Sequence, residues 1–90
     1  MKHAAAEVPL RVWYKDVRKN RYRNLTELHR TYPSADLAKA EDGSALTIFN
    51  IGGNNYRLAT YISYSSQRIY IRKIMTYKEY DRWNSRGRPT

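Results

Sequence analysis

Cysteine is absent from this chain of 90 residues, so neither a disulfide framework nor a zinc site built on thiolates is available. Apolar runs are short as well. None approaches the roughly 20 residues that are needed to cross a bilayer, and residues 1–10 lack the apolar segment of a signal peptide. These absences favour a reducing cytoplasm as the compartment in which the chain works.

Repeats are also missing, and the length leaves room for one small hydrophobic core. Low complexity is confined to the Arg-, Gly- and Pro-rich tail over residues 85–90. We therefore predict a single domain over residues 1–84 and a basic, disordered tail over residues 85–90.

Acidic residues are scarce: 8 Asp and Glu stand against 17 Lys and Arg, and the net charge is +9. Two segments, residues 11–30 and 67–90, carry this excess, and the remainder is close to neutral. Two basic lobes in one small domain predict a polyanionic partner. The alternative is a domain that happens to be basic, because net charge does not determine fold.

Tyrosines alternate with the basic residues, as in Tyr56-Arg57, Tyr70-Ile71-Arg72 and Tyr77-Lys78. This pattern suits single-stranded nucleic acid, because cations neutralise phosphates and aromatic rings stack on bases. A membrane-surface role is disfavoured, since basic residues interrupt the short apolar stripe of the first helix.

Three segments, residues 45–51, 55–64 and 68–75, have the composition of β-strands. Gly52-Gly53-Asn54 joins the first two, and such residues supply the positive φ of a tight hairpin. Together the segments predict a three-stranded antiparallel meander. A sheet of this size is stable only if another element covers one of its faces.

Side chains alternate between the two faces of a strand, so Leu58 and Ile62 share one face and Arg57 and Tyr61 share the other. We predict that Leu58 and Ile62 face the core together with Ile69 and Ile71. The opposite, open face then carries two arginines and two tyrosines: Arg57, Tyr61, Tyr70 and Arg72. The alternative is that these arginines are ordinary solvated strand residues.

Two amphipathic helices are predicted upstream, over residues 8–20 and 24–32. The first has Leu10, Trp13, Tyr14 and Val17 at helical spacing. The second begins with Asn24 as its cap and Glu27 three residues on, and it ends before Pro33. Residues 34–44 lack a clear period and are interpreted as a connector.

Four blocks carry a resemblance to a known family. They read Pro-Leu-Arg-Val-Trp-Tyr-Lys from residue 9, Tyr-Pro-Ser-Ala-Asp from residue 32, Ile-Phe-Asn-Ile-Gly-Gly-Asn-Asn-Tyr-Arg-Leu from residue 48, and Ile-Tyr-Ile-Arg-Lys-Ile-Met-Thr-Tyr-Lys-Glu-Tyr-Asp from residue 69. Over residues 3–83 the chain resembles the HigB-type toxins of type II toxin–antitoxin modules, within the RelE superfamily.

The resemblance implies a RelE-like α+β fold, in which two N-terminal helices pack on a curled three-stranded antiparallel sheet. It also implies a cytoplasmic endoribonuclease that cuts mRNA, usually on the translating ribosome, and that a HigA-like helix-turn-helix antitoxin inhibits. The alternatives are a decayed toxin that only binds RNA or antitoxin, and a purely structural basic protein.

Metal-free cleavage of RNA needs a base for the 2′-OH, cations around the phosphate and an acid for the departing 5′-oxygen. Arg57 and Arg72 are the candidates for holding the phosphate. Tyr77, Lys78 and Tyr80 are the candidates for proton transfer. The residues predicted to bind RNA around them are Tyr61, Tyr70, Lys73, Arg82, Arg18, Arg21 and Arg23.

No metal or cofactor is predicted, because His3 and His29 have no partners at the spacing of a zinc site. The chain departs from the family pattern at Tyr77, where the family usually has histidine; tyrosine ordinarily titrates near 10. Tyr77 and Tyr80 have an alternative role in packing against the first helix. The family also ordinarily has a strand and a short helix before the segment that begins at His3, so we expect either a shortened member or a start codon further upstream.

Overall fold

The computed structural model describes residues 4–53 and 55–89, and within them it shows three α-helices and a four-stranded antiparallel sheet. In chain order the elements are α1 (Glu7–Val17), α2 (Leu25–Thr31), β1 (Asp36–Lys39), β2 (Ala45–Ile51), β3 (Tyr56–Ser63), β4 (Arg68–Thr76) and α3 (Tyr77–Ser85), and one 3-10 turn (Ala4–Ala6) precedes α1. The predicted α+β class is confirmed. The predicted strand count and helix count are each too low by one, since β1 and α3 were not predicted.

The additional strand is β1, which lies in the segment interpreted as a connector. It pairs with β2 at the edge of the sheet, with Asp36 opposite Ile48 and Lys39 opposite Ala45. The strand β1 is four residues long, and its Leu37 side chain is 59% exposed. Backbone pairing rather than an apolar face therefore forms β1, which is why its side chains give no strand signal.

The hairpin between β2 and β3 is confirmed. Ile51 pairs with Tyr56, and both Gly52 and Gly53 have a φ of +61°, which is unfavourable for residues with a Cβ atom. The predicted turn residue Asn54 lies outside the described residues. The loop closes with Asn55 donating its backbone N–H to the carbonyl of Gly52 at 3.2 Å.

A bulge interrupts the pairing between β3 and β4. Thr60 pairs with Ile71 and Ala59 pairs with Lys73, so Arg72 is the extra residue of β4. Ile69 packs against the core as predicted, whereas Ile71 is 48% exposed, and its predicted place in the core is wrong. Ile69 and Ile71 both lie on the outermost strand of the sheet, but only Ile69 is among the residues that pack against the core beneath α1 and α2.

The helices α1 and α2 cover one face of the sheet, as predicted. Trp13 packs on Phe49 with ring centroids 5.3 Å apart, and Tyr32 meets the same ring edge-on at 5.2 Å. The residues buried in this core are Trp13, Val17, Tyr22, Leu28, Ala35, Phe49, Ile51 and Leu58. Tyr14 does not join them, because it is 50% exposed, and α1 ends at Val17 rather than at residue 20.

The predicted cap of α2 is confirmed. Glu27 donates its backbone N–H to Oδ1 of Asn24 at 3.0 Å, and its own carboxylate accepts from the backbone N–H of Arg23 at 2.9 Å. The helix ends at Thr31, and Tyr32 and Pro33 follow it. The local sequence signals therefore fix both ends of α2.

The other face of the sheet, which was predicted to be open, is partly covered by α3. Trp83 is buried there against Met75 and Ala59. The complete set of buried residues in this second core is Ala40, Leu46, Ile48, Ala59, Met75 and Trp83. The face that carries Arg57 is thus half core and half open surface, because α3 folds back on the strand that leads into it.

Residues that follow α3 contact β1. Trp83 donates its Nε1–H to the carbonyl of Pro89 at 2.8 Å, and Arg88 donates from Nε to the carbonyl of Lys39 at 2.6 Å. The backbone N–H of Glu41 donates to the carbonyl of Arg88 at 3.0 Å. The disorder expected for residues 85–90 stays a prediction, and these contacts argue against it.

Replacing Thr76 with alanine should lower the free energy of unfolding by about 1 kcal/mol. Thr76 caps α3 by accepting the backbone N–H of Glu79 at 3.2 Å, and the Glu79 carboxylate accepts the backbone N–H of Thr76 at 2.9 Å. Alanine leaves the Glu79 N–H without its acceptor. Urea denaturation measures the loss, and Thr76→Ser, which keeps the hydroxyl, should unfold close to the native midpoint; equal losses in both variants would show that the cap is not responsible.

Candidate active site

Arg57 and Tyr80 meet on the α3 side of the sheet. Arg57 lies on β3 opposite Asn50 and Met75, and its guanidinium carbon is 6.0 Å from the centroid of the Tyr80 ring. The Tyr80 ring in turn packs against Trp83 with centroids 5.9 Å apart. The side chains of Arg57 and Tyr80 are half-buried. The structure therefore brings a predicted phosphate-binding residue next to a predicted proton-transfer residue.

The surroundings of Tyr80 keep its phenol protonated. Burial raises the pKa of Tyr80 most, and the negative charge of Asp36 raises it further. Arg88 and Arg57 act in the opposite direction but do not outweigh burial. A tyrosine whose pKa lies above its usual value near 10 is neutral at physiological pH and can donate a proton or a hydrogen bond.

Asp36 and Arg88 were not predicted as members of the site. Asp36 reaches it because β1 forms at the edge of the sheet, and Arg88 because the residues after α3 return to β1. Neither event has a signal in the local sequence. Only a prediction of the pairing between β1 and β2 would have found Asp36.

Tyr77 and Lys78 occupy the first turn of α3, and both are exposed. The Tyr77 side chain is 52% exposed, and its backbone N–H donates to the carbonyl of Asn55 at 3.3 Å, which holds the start of α3 against the β2–β3 loop. The alternative of packing against the first helix is not observed, because Tyr77 is exposed and Tyr80 packs on Trp83.

Arg72 belongs to a separate cluster. Its guanidinium carbon lies 5.8 Å from the centroid of Tyr61, and the rings of Tyr61 and Tyr70 are 6.2 Å apart. Tyr61 is four residues beyond Arg57 on β3, a distance of about 13 Å at ~3.3 Å per residue. The four residues predicted to share one surface are thus divided between two neighbouring clusters.

Lys73 and Arg82 line a small groove of about 240 Å³ beside α3, together with Arg86 and Glu79. We call it the α3 groove. Both residues were predicted to bind RNA. The structure places them on the same side of the sheet as Arg57, since Lys73 pairs with Ala59 of the second core.

Arg18 and Arg21 line a larger groove of about 490 Å³ between the end of α1 and the turn from β3 to β4. We call it the α1 groove, and its lining includes Trp13, Tyr14, Arg18, Arg21, Arg68 and Tyr70. Arg23, which was predicted to act with Arg18 and Arg21, is not part of this lining. Its Nε instead lies 3.6 Å from the carboxylate of Glu27.

Gln67 ties the two walls of the α1 groove together. Its amide oxygen accepts from the backbone N–H of Tyr22 at 3.1 Å, and its Nε2 donates to the carbonyls of Tyr22 at 2.6 Å and Tyr64 at 2.7 Å. One side chain thus joins the loop after α1 to the β3–β4 turn. The groove is therefore fixed by hydrogen bonds rather than by packing alone.

Replacing Gln67 with glycine should lower the free energy of unfolding by about 1–3 kcal/mol, because partly buried backbone groups lose their partners. Glycine accepts the φ of 55° found at this position, so backbone strain does not add to the loss. Chemical denaturation is the measurement. Ser65→Gly, in the same turn, controls for the added chain entropy, and an equal loss in both variants would contradict the role given to the amide.

Histidine has a structural role at position 29, where Nε2 lies 2.6 Å from the carbonyl oxygen of Ala35. His3 lies outside the described residues. Within residues 4–53 and 55–89 no group of three or more His, Cys, Asp and Glu side chains is placed to hold a metal ion. In the same part of the chain, every helix is too short or too polar to cross a membrane.

Comparison with known families identifies the family of this chain. The family described as HigB_toxin, the RelE-like toxic component of a toxin–antitoxin system, matches residues 6–83. The chain belongs to the HigB toxin family. The resemblance carried by the four sequence blocks is thereby confirmed, and the α+β fold agrees with it.

Individual HigB relatives carry a more specific name. The chain is 37% identical over 65 residues to the mRNA interferase toxin HigB of Escherichia coli K12 and to the mRNA interferase HigB of Escherichia coli O157:H7, covering 72% of this chain and 61% of each relative. It is 25% identical over 69 residues to the mRNA interferase HigB of Escherichia coli O6:H1. The matched part of the chain spans 61% of the length of the first of these relatives.

Proposed function

We propose that this chain is the toxin of a type II toxin–antitoxin module and that it cleaves mRNA as a metal-independent endoribonuclease. The observation that carries the proposal is that the Arg57 guanidinium lies beside the ring of Tyr80, whose pKa is raised, in a member of the HigB family. Relatives named mRNA interferases support the choice of mRNA as substrate. The cytoplasm and the translating ribosome are the proposed place of action.

The proposed reaction is an attack of a 2′-hydroxyl on the adjacent phosphate. A bond forms between the 2′-oxygen and phosphorus, and the bond from phosphorus to the 5′-oxygen breaks, which leaves a 2′,3′-cyclic phosphate and a 5′-hydroxyl. Arg57 stabilises the negative charge that builds up on the pentacovalent phosphate. Tyr80 donates its proton to the departing 5′-oxygen.

Electrostatics fit this role of Tyr80. Its raised pKa keeps the proton on the phenol until it is needed. The positive charges of Arg57 and Arg88 oppose this rise in the pKa of Tyr80, so the phenolate that forms when the proton leaves is less unfavourable than burial alone would make it. The exposed residues Tyr77 and Lys78 are the candidates for accepting the proton of the 2′-hydroxyl, which Tyr77 can do only as the phenolate and Lys78 only as the neutral amine. Arg72 is the candidate for holding a neighbouring phosphate.

An antitoxin is the second partner, as membership of a toxin–antitoxin family implies. We propose that it is HigA-like, with a helix-turn-helix domain, and that an acidic segment of it approaches the basic lobes. Electrostatic steering of this kind weakens as salt screens the charges. The net charge of +9 supports this part of the proposal.

Transcriptome-wide mapping of new RNA 5′ ends after brief induction of the chain tests the proposed function. We expect cuts inside translated messages, and we expect them to disappear from a reporter whose start codon has been removed. An Arg57→Ala strain is the control. Absence of new ends in both strains, with folded protein present, would favour the alternative of a non-catalytic module that binds RNA or antitoxin.

A further inference from the structure

The α1 groove is a cationic surface that the proposed cleavage reaction does not use. Three arginines line it, Arg18, Arg21 and Arg68, and the described residues add no Asp or Glu to the lining. Arg57 and Tyr80 are not part of it. An uncompensated cluster of this kind attracts an anionic ligand.

Aromatic side chains accompany these arginines. Tyr14 and Tyr70 line the groove and are 50% and 46% exposed. The guanidinium carbon of Arg18 lies 5.1 Å from the centroid of Tyr14, so this cation is held in place by a ring. Since Gln67 also joins the two walls, the groove is preformed and loses little entropy when a ligand binds.

Tyr70 connects the groove with the proposed cleavage site. It lines the groove, and its ring is also 6.2 Å from that of Tyr61. Tyr61 contacts Arg72 and lies on β3, the strand that carries Arg57. Tyr70, Tyr61 and Arg72 therefore extend from the α1 groove towards Arg57, and about 13 Å of β3 separates Tyr61 from Arg57. One carboxylate lies near this path, since the charge of Arg72 helps to lower the pKa of Asp42.

We propose that the α1 groove is a subsite for single-stranded RNA. The arginines bind phosphates, the rings of Tyr14 and Tyr70 stack on bases, and the bound nucleotides flank the bond that is cut. The inference rests on the proposed function and deepens it by giving the substrate a second point of attachment. RNA fits better than an acidic peptide, because carboxylates need the cations alone, whereas bases also use the exposed rings.

Salt dependence of RNA binding tests the subsite. The probe is a fluorescein-labelled single-stranded oligoribonucleotide with 2′-O-methyl sugars, which the chain cannot cleave because no free 2′-hydroxyl is present. In the triple variant Arg18→Gln, Arg21→Gln, Arg68→Gln, the plot of the logarithm of the association constant against the logarithm of the salt concentration should be less steep by about 2. Each lost phosphate contact contributes ~0.7 to this slope.

A matched variant separates the groove from total charge. The variant Arg11→Gln, Lys15→Gln, Arg30→Gln removes the same number of positive charges, from positions in α1 and α2 that do not line the groove. Its slope should stay at the native value. Tyr70→Leu should weaken binding by a factor of about 5 or more without a change of slope, since it removes a stacking ring and no charge.

Repeating the binding measurement with ribosomes distinguishes binding of the message strand from binding of ribosomal RNA. A loss of affinity of the triple variant for the free oligonucleotide assigns the groove to the message strand. A loss that is confined to ribosomes assigns it to ribosomal RNA. Both results support an RNA subsite.

Unchanged affinity of the folded triple variant for the oligonucleotide and for ribosomes would overturn the inference, as would an equal loss in the matched variant. Weaker binding of an antitoxin with RNA binding intact would assign the groove to a protein partner instead. The proposed function is tested separately. Arg57→Ala should lower cleavage by about 10²- to 10³-fold and leave RNA binding in the groove unchanged. If the native chain binds RNA in the groove but does not cleave it, the proposed function fails and the subsite stands.

Discussion

Replacing Tyr80 with phenylalanine should lower the rate of RNA cleavage by about 10²- to 10⁴-fold, the range that general acid catalysis contributes. Phenylalanine keeps the ring that packs on Trp83 and under Arg57, so the fold and the position of the guanidinium are retained. What disappears is the proton for the departing 5′-oxygen. Single-turnover cleavage of a message on programmed ribosomes is the measurement.

A substrate with sulfur in place of the bridging 5′-oxygen separates acid catalysis from packing. A thiolate leaves without prior protonation, so Tyr80→Phe should cleave this substrate at close to the native rate. Tyr32→Phe is the matched control. It removes a second phenol whose pKa burial and Asp16 raise, but Tyr32 packs on the α1 side of the sheet, and cleavage should be unaffected. A similar defect of Tyr80→Phe on both substrates would contradict the acid role.

The surroundings of Tyr80 also determine how cleavage by the native protein should depend on pH. The pKa of Tyr80 is raised, chiefly by burial, so the protonated and active form persists as the pH rises to the usual tyrosine value near 10 and beyond. Deprotonation of Tyr80 therefore should not reduce cleavage between about pH 7 and about pH 9. A falling limb in that interval that Tyr80→Phe abolishes would contradict this assignment.

The sequence predicted those parts of the fold that local chemistry determines. Alternation of side chains and the glycines at 52 and 53 gave β2 with its observed bounds, and Asn24 with Glu27 gave the start of α2. The Thr76 and Glu79 spacing is the same kind of signal. It would have predicted α3, had residues 76–81 been interpreted as a helix start as well as a family motif.

Other parts of the fold depend on contacts between distant segments. β1 forms because β2 offers it an edge, and the bulge at Arg72 depends on how β3 and β4 pair. The same holds for the site. Arg57 and Tyr80 could be named as candidates from the sequence, but their contact exists only because α3 folds back on the sheet, which also brings Asp36 and Arg88 near the phenol.

Replacing Arg57 with alanine should lower kcat by about 10²- to 10³-fold, as expected when one charge-stabilising donor is removed from a transition state. The effect should fall on kcat more than on KM, because the charge on phosphate increases as the 2′-oxygen attacks. Arg57→Lys should recover part of the loss, since lysine restores the charge without the two-pronged geometry of a guanidinium.

Arg30→Ala is the matched control for Arg57→Ala. Arg30 is exposed in the last turn of α2, on the opposite side of the sheet, and its removal lowers the net charge by the same amount. Cleavage by this variant should equal that of the native chain. Equal defects in the two variants would mean that Arg57 acts only through overall charge. A defect confined to Arg57, with an unchanged melting temperature, would instead show that the guanidinium beside Tyr80 stabilises the reacting phosphate, which net charge alone cannot do.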